Sequence, residues 1–466
     1  MSDVHRIHLI AVCGTGMAAL AGLLKAAGYQ VSGSDADIFP PMSILLQRAG
    51  VPVSLGFNAA NITPEIDHVV IGNAVRADNP EAVATLARGI PYSSMPQTLA
   101  DFFLKERKPA VVAGTHGKTT TASLLAWVLA AAGRDPGMMI GGWVKNFDGN
   151  HRLGGSAHFV VEGDEYDTAF FDKGPKFLHY RPHHAILTSI EHDHADIYPD
   201  LAAVQKAFCQ FVALLPRDGF LVAADDLIVR EVARSAACEV ETYGLDACAD
   251  WSASVPVSED GRLIFEVRHR GEKVGTVNSP LAGRHNLKNS LAVIALCHRL
   301  GVSWDAICDG IARFEGVKRR QEVVGTVRDI IVIDDFAHHP TAITETLAAL
   351  RLRYPRRRLW AIFEPRSASS RRNTFQSAFI DAFSGADRTI IADVFAHEKV
   401  PGDLRLDPKK IVSDLTAAGH EAIFIPTATE IVATLTTALS PGDVVCIMSS
   451  GGFGGIHSQL LTALGR

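Results

Sequence analysis

At 466 residues the chain exceeds a single domain, and the usual ~150 residues per domain divides it into about three. Its 47% hydrophobic and 21% charged residues are ordinary for a globular enzyme with several cores, and a net charge of −6 gives no basis for nucleic-acid binding. No apolar run reaches membrane-spanning length, Met1 to Arg6 lacks a signal-peptide layout, and seven scattered cysteines without C-x-x-C read as reduced thiols in a cytoplasmic protein.

The pattern predicts an α/β chain of three domains, each with a mostly parallel, helix-flanked sheet: 1–107 Rossmann-like, 108–320 with a phosphate loop, 321–466 Rossmann-like again. In the first, Ile7–Cys13 reads as a strand, and Gly14-Thr15-Gly16-Met17 opens a helix that ends near Gly28. Tyr29–Ser32 begins a second strand that delivers Ser34 and Asp35 to its carboxyl edge. This is G-x-G-x-x-A with an acid about 20 residues on, the spacing of a dinucleotide fold. Alone it suggests an NAD-linked oxidoreductase, and a plain structural turn stands beside that reading. His68–Asn73 is a further strand, with Asn73 at the end where ligands of such sheets collect, or else a turn residue. Phe102–Lys108 reads as the joint.

In the central domain, Ala110–Ala113 is a buried parallel strand, followed by Gly114-Thr115-His116-Gly117-Lys118-Thr119-Thr120 and, from Thr121, a helix stopped by Gly133. Strand, glycine loop, lysine and helix make a phosphate cradle. Backbone N–H groups and the positive helix end face the anion, Lys118 neutralises phosphate oxygens, and a threonine hydroxyl reaches Mg²⁺. Val112 stands where the usual G-x-x-x-x-G-K-[ST] has its first glycine. The strand His158–Val161 ends in Glu162-Gly-Asp-Glu-Tyr-Asp167, where a magnesium ligand is needed, although a solvated acidic loop has the same composition. The strand Ala185–Ile190 ends in Glu191-His-Asp-His194-Ala-Asp196, better suited to a divalent ion shared with phosphates than to zinc, because no further His/Cys pair follows. Residues 251–281 alternate in polarity around turns at Glu259-Asp-Gly261 and Arg270-Gly271, a small antiparallel insert. Gly283-Arg-His-Asn286-Leu-Lys-Asn289 starts a helix that runs to Leu300. Asn286 suits an N-cap, Asn289 lies too deep for one, and both suit a purine.

In the third domain, strands at Ile330–Ile333, Leu359–Phe363, Arg388–Ala392, Glu421–Ile425 and Asp443–Met448 alternate with helices. Their carboxyl ends carry Asp334-Asp335-Phe-Ala-His338-His339-Pro340, Glu364-Pro-Arg366-Ser367 and the glycine-rich Ser449–His457. Arginine at such places suits carboxylate recognition, while Arg356-Arg357-Arg358 reads as the flank of a strand rather than a polyanion site. Together these parts describe ATP-driven group transfer onto a nucleotide-bearing substrate; a dehydrogenase has no use for the second loop.

The run Gly114-Thr-His-Gly-Lys-Thr-Thr120 resembles the ATP loop of the Mur ligases, ATP-dependent amide ligases of cell-wall peptide synthesis, and Glu191-His-Asp-His194, Gly283–Asn289 and Asp334–Pro340 follow in that family's order. Gly33-Ser-Asp-Ala-Asp37 with Pro40–Ser43, Asp164–Asp172, Glu364–Ser367 and Ser450–His457 look like the members that attach a salvaged L-alanyl-γ-D-glutamyl-meso-diaminopimelate tripeptide to UDP-N-acetylmuramate during wall recycling. Members that instead add L-alanine, the same-class alternative, carry His-Arg after Gln-Pro, where this chain has Glu364-Pro365 then Arg366. The resemblance implies that ATP phosphorylates the muramate carboxylate and that the peptide amine attacks the acyl phosphate. It implies catalytic roles for Lys118 and His194, and Mg²⁺ ligands in Thr119, Glu162 and His194. ATP would be held by Gly114 to Thr120 with Asn286, Asn289, Arg320 and Asp335, and the UDP-sugar by Gly14, Thr15, Gly16, Met17, Ser34, Asp35 and Asn73. Arg366 would meet the peptide. Some members carry a carbamylated lysine after the metal histidine; Lys206 and Gln205 compete for that place, and the oligomeric state stays open.

Overall fold

The computed structural model describes residues 4–38, 40–194, 197–259 and 261–465. Its strands fall into three main sheets and a two-stranded hairpin, and helices cover both faces of the large sheets. This is the expected α/β architecture.

The first sheet has five parallel strands in the spatial order Val53–Leu55, Gln30–Asp35, Arg6–Ile10, His68–Ile71, Tyr92–Ser94. The chain steps outward one way from Arg6–Ile10, then returns to its other side, so the crevice between Arg6–Ile10 and His68–Ile71 is the switch point where such sheets bind ligands. The Gly14 loop and Asn73 both open onto it. The first strand is shorter than the sequence pattern predicts, because Ala11 turns to a positive φ of 64° and frees Val12 and Cys13 to begin the loop. The stretch read as a joint is largely helical: Met95–Leu99 continues as one wide turn, Ala100–Leu104, before the next strand starts at Lys108.

The second sheet is continuous and large. Its central strand, Lys108–Ala113, lies between His158–Gly163 on one side and His184–Leu187 on the other, all parallel. That order decides the site, since both acidic motifs leave their strands directly beside the phosphate loop. The antiparallel strands Trp251–Ala253, Val257–Glu259, Arg262–His269 and Glu272–Ser279 are no separate insert: Trp251 pairs with Tyr243 and carries the same sheet onward. Asp260 in the expected Glu259–Gly261 turn lies outside the described residues, as does Asp196 of the second acidic motif.

The third sheet runs Glu322–Val327, Ile330–Asp335, Val444–Met448, Leu359–Phe363, Arg388–Ile391, Glu421–Phe424. Its first strand, which the sequence pattern does not single out, pairs antiparallel with the second; the rest are parallel. Two apolar clusters, one per face, bury this sheet. The arginine triplet does flank the strand Leu359–Phe363, Arg357 pairing with Asp329 and Arg358 with Asp443. One cluster spans the first two sheets, since the helix Thr15–Ala26 packs on the strand Gly137–Val144 and buries Leu20, Leu23 and Leu24. No helix is long and apolar enough to cross a membrane among the described residues, and all seven cysteines are unpaired.

Candidate active site

The phosphate loop is built by two glycines and by its neighbour strand. Gly117 sits in the left-handed region at φ 80° and caps the helix Lys118–Ala131, three residues earlier than its apolar pattern predicts. A Cβ there would stand 2.8 Å from Asn289 Oδ1, and one on Gly114 would stand 2.2 Å from Thr188 Oγ1, so only glycine allows this approach. The loop is tied to the segment after His184–Leu187: Thr115 N donates to Ser189 O at 2.8 Å, and His116 N donates to Ser189 Oγ at 3.0 Å. Thr188 Oγ1 donates to His116 O at 2.6 Å. The helix that follows has no side-chain cap and no acid in its first turn. Its leading N–H groups and positive end are left for an anion.

Lys118 and Thr119 lie at the start of that helix among carboxylates. Lys118 Nζ is 2.8 and 3.0 Å from the two oxygens of Glu165, a residue buried to 2% side-chain exposure, and donates to Gly114 O at 2.6 Å. Burial alone would depress the lysine, but Glu165, with Asp164 and Glu162, outweighs it and holds the amine above its ordinary value. Thr119 Oγ1 donates to Glu162 Oε1 at 2.8 Å and receives Arg320 Nη2 at 3.1 Å. His194 Nε2 lies 3.4 Å from Glu165 Oε1. Against the effect of burial, Glu165 and Asp193 raise His194. Asp164 is held below its usual range by Lys176 and Lys118 although burial opposes ionisation.

Oxygen-rich donor sets thus converge at two points, Thr119 with Glu162 and Asp164 with Glu165 and His194, the second within one ligand sphere's width. Hard oxygen donors from several carboxylates fit Mg²⁺. Glu165 and Asp164 are the residues that the sequence pattern leaves indistinct, because every acid of Glu162–Asp167 looks alike until the chain is folded.

Beside the loop a cavity of about 890 Å³ is lined by His116, Gly117, Thr120, Asn286, Asn289, Arg320 and Asp335, so these expected nucleotide contacts do come together. Asn286 is not the N-cap of its helix: Gly283 holds that place, and Asn286 Nδ2 donates to Ala282 O at 2.7 Å while its Oδ1 receives Asn289 Nδ2 at 3.2 Å. Asp335 accepts from Gln321 N at 2.7 Å and Ala337 N at 2.8 Å, and burial raises its carboxyl despite the Arg320 charge nearby. Arg320 lies over the Phe336 ring at 4.9 Å.

At the first sheet's switch point, Gly14 is exposed and begins the uncapped helix Thr15–Ala26, with Thr15 and Gly16 half-buried and Met17 in the core. One Asp35 oxygen accepts from Cys13 N at 2.7 Å, so the acid that would grip a ribose in a dehydrogenase is engaged in shaping the loop. Ser34 is fully buried and donates to Glu81, which places its hydroxyl inside the domain rather than toward a ligand. Asn73 is exposed at the strand end. In the third domain Arg366 lies over the Phe395 ring at 3.6 Å, with Glu364 Oε1 at 3.6 Å. The glycine-rich turn next to it is pinned by Arg319, whose Nη2 donates to Ser449 O at 2.7 Å and Gly451 O at 2.6 Å. Ser369, three residues beyond Arg366, donates to Asp193, so this segment abuts the His194 motif. Lys206 is exposed and Gln205 half-buried on the helix Leu201–Val212.

Three family descriptions match in succession: "Mur ligase family, catalytic domain" over residues 6–107, "Mur ligase middle domain" over 112–297, and "Mur ligase, glutamate ligase domain" over 319–451. The chain belongs to the Mur ligase family. The UDP-N-acetylmuramate–L-alanyl-γ-D-glutamyl-meso-2,6-diaminoheptandioate ligase of Escherichia coli K12 is 39% identical over 99% of this chain and 98% of its own. The UDP-N-acetylmuramate–L-alanine ligase of Desulforamulus reducens is 35% identical over 98% of each. Among solved structures, a murein peptide ligase from Psychrobacter arcticus has TM-score 0.74 at 37% identity, covering 99% of both chains. The UDP-N-acetylmuramate–alanine ligase of Thermotoga maritima has TM-score 0.82 at 25% identity, covering 98% of both. Shape and identity therefore rank these relatives in opposite order, and shape does not separate the acceptors. In this Mur ligase the dinucleotide-like Gly14 loop and the ATP-type Gly114 loop occupy separate sheets.

Proposed function

We propose that the chain joins the carboxylate of UDP-N-acetylmuramate to L-alanyl-γ-D-glutamyl-meso-diaminopimelate at the expense of ATP, as a cytoplasmic enzyme of wall recycling. Residues 1–107 would hold the UDP-sugar at the Gly14 loop, 108–320 the nucleotide, and 321–466 the incoming peptide at Arg366. The observation that carries the chemistry is Lys118, set at an uncapped helix terminus and paired with the buried carboxylate of Glu165. The acceptor assignment rests on full-length identity to the tripeptide ligase.

The loop N–H groups and helix end bind the ATP phosphates, and Lys118 exchanges its Glu165 partner for a phosphate oxygen. Thr119, Glu162, Asp164, Glu165 and His194 would hold Mg²⁺, which supplies neutralisation of charge on the phosphoryl group. A muramate carboxylate oxygen attacks the γ-phosphorus, forming an acyl phosphate as the bond to ADP breaks. The peptide amine then attacks the acyl carbon and loses its proton, and phosphate leaves. Arg320, held between Thr119 and the Phe336 ring, steadies phosphate oxygens from the domain joint. Arg366 offers its guanidinium fork to a peptide carboxylate.

L-Alanine addition is the second reading, supported by the 35% identity to an alanine-adding relative over 98% of each chain. Measuring ADP release with UDP-N-acetylmuramate and Mg²⁺, with tripeptide and L-alanine offered in parallel, decides between them. Turnover with L-alanine alone overturns the acceptor assignment, and turnover with neither overturns the ligase.

A further inference from the structure

The chemistry above makes no use of one contact at the joint between the central and third domains. Asp193 immediately precedes His194, and Ser369 follows Arg366 by three residues. Both are buried, at 6% and 3% exposure, and the Ser369 hydroxyl donates to Asp193 Oδ1. The same oxygen accepts from His194 N at 2.7 Å. His194 has φ 53°, in the left-handed region. A non-glycine residue stays there only where its surroundings over-determine it, and such residues gather at working sites. Here the His194 carbonyl accepts from Ile197 N at 2.8 Å and Tyr198 N at 3.0 Å, and Nε2 lies 3.4 Å from Glu165 Oε1. Those holds come from the central domain. The hold on the amide runs through Asp193 to the third.

A polar contact that satisfies two buried groups at an interface is the plainer role for this pair. It accounts for a partner on each side, but not for one carboxylate oxygen serving both Ser369 and the His194 amide. Nor does it account for the turn that carries Ser369. Ser370 Oγ accepts from Arg366 N at 3.0 Å, and Ser367 Oγ accepts from Ser370 N at 3.0 Å. The two hydroxyl oxygens lie 2.8 Å apart, and Arg372 N donates to Ser369 O at 3.0 Å. So braced, Arg366 and Ser369 move as one piece. On the other side of the joint, His194 shares a donor set with Asp164 and Glu165, one atom from each within 4.8 Å of the others. Such a set works only when its members are held to about 0.5 Å.

We propose that Ser369 is a positioning residue that sets His194 through Asp193. With the third domain docked, Ser369 fixes the Asp193 carboxylate, and that carboxylate fixes the His194 amide in the left-handed turn that brings the imidazole to Glu165. With the third domain undocked, Asp193 Oδ1 loses one of its two partners and the histidine backbone relaxes. The donor set of Asp164, Glu165 and His194 is therefore complete only when the Arg366 turn is seated. Seating of the acceptor segment and readiness of the cation position become one event. This deepens the function proposed above and rests on it for the Mg²⁺ at His194 and the peptide at Arg366; the hold of Ser369 on His194 does not.

The experiment compares full-length native protein with Ser369→Ala and with Ser369→Thr, which keeps the hydroxyl. Hydrogen exchange, followed by mass spectrometry without metal or nucleotide, reads the peptide that contains the His194 amide. In Ser369→Ala that amide should exchange roughly fivefold faster, the change that loss of one hydrogen bond produces, and Ser369→Thr should restore slow exchange. The Mg²⁺ concentration for half-maximal ADP formation should rise roughly tenfold in Ser369→Ala with the KM for UDP-N-acetylmuramate unchanged, since removing an outer-shell partner of a metal ligand costs 10–100-fold. Equal exchange in native protein and Ser369→Ala overturns the proposal. So does a Ser369→Ala protein that melts earlier with its Mg²⁺ requirement unmoved, the mark of a merely structural contact. If no ADP forms in any assay, the ligase reading fails, and the exchange rates still decide whether Ser369 holds His194.

Discussion

Replacing Glu165 by glutamine isolates the contact that holds Lys118 in the resting site. The substitution preserves side-chain shape, removes one charge that is 2% exposed, and leaves the hydrogen bond from Tyr198 Oη to the Glu165 carbonyl intact. Breaking a buried ion pair by removing one partner costs ~3–5 kcal/mol, because the other charge is stranded. Lys118 keeps its bonds to the Gly114 and Thr115 carbonyls and the field of Asp164 and Glu162. The lower end, about 3 kcal/mol, is therefore expected. In domains of this size that lowers the melting temperature by roughly 6–12 °C. Nucleotide phosphate supplies the missing counter-charge, so ADP offered with a chelator, which keeps the Mg²⁺ role of Glu165 out of the comparison, should raise the melting temperature of Glu165→Gln by several degrees more than that of the native protein. Paired thermal melts with and without metal-free ADP measure both quantities. A variant that melts within about 1 °C of the native protein, or gains the same increment from nucleotide, would refute the idea that phosphate takes over the lysine from Glu165.

Lys118→Ala should abolish ADP formation, a loss of at least about 10³-fold, while UDP-sugar binding measured by calorimetry is retained; loss of both would show that the two loops are not independent sites. Gly451→Ala would place a Cβ 1.9 Å from Arg366 Nε, so the guanidinium must move. The KM for the tripeptide should rise about tenfold with the KM for ATP unchanged, and an unchanged tripeptide KM would remove Arg366 from peptide binding. His184 is buried, and burial, then His183, push its imidazole down to about 3. The folded pKa lies below the unfolded value near 6.5, so the unfolded chain binds more protons between those pH values. Stability is thus lost as pH falls from about 6.5 towards 3, and His184→Gln should flatten that acid limb in melts across the range; an unaltered limb would contradict it.

Local features of the sequence carried a good part of this. Gly114–Thr120 reads as a phosphate cradle from its own residues, since a lysine after glycine between a buried strand and a helix has few other uses. The acidic ends of two strands lead to an expectation of cation binding. The helix after Gly117 starts three residues before its apolar period, because Lys118, Thr119 and Thr120 are polar and add nothing to that period. Asn286 imitates an N-cap locally, yet Gly283, at φ 98°, makes the turn.

Composition, periodicity and loop chemistry thus determine that there are three helix-flanked sheets and where the two glycine loops fall, and they lead to the expectation that a nucleotide and a cation meet at one of them. These are properties of short segments, set by propensity and by side chains within a few residues of each other. Partnership across the chain was decided only by tertiary structure. Strand order puts His158–Gly163 and His184–Leu187 on either side of Lys108–Ala113, and so selects Glu165 for Lys118 and Glu162 for Thr119 from a run of equivalent acids. Docking of the third sheet brings Arg320 to Thr119, Ser369 to Asp193 and His339 to His116. Such contacts depend on crossover and domain packing, which the spacing of residues along the chain does not encode.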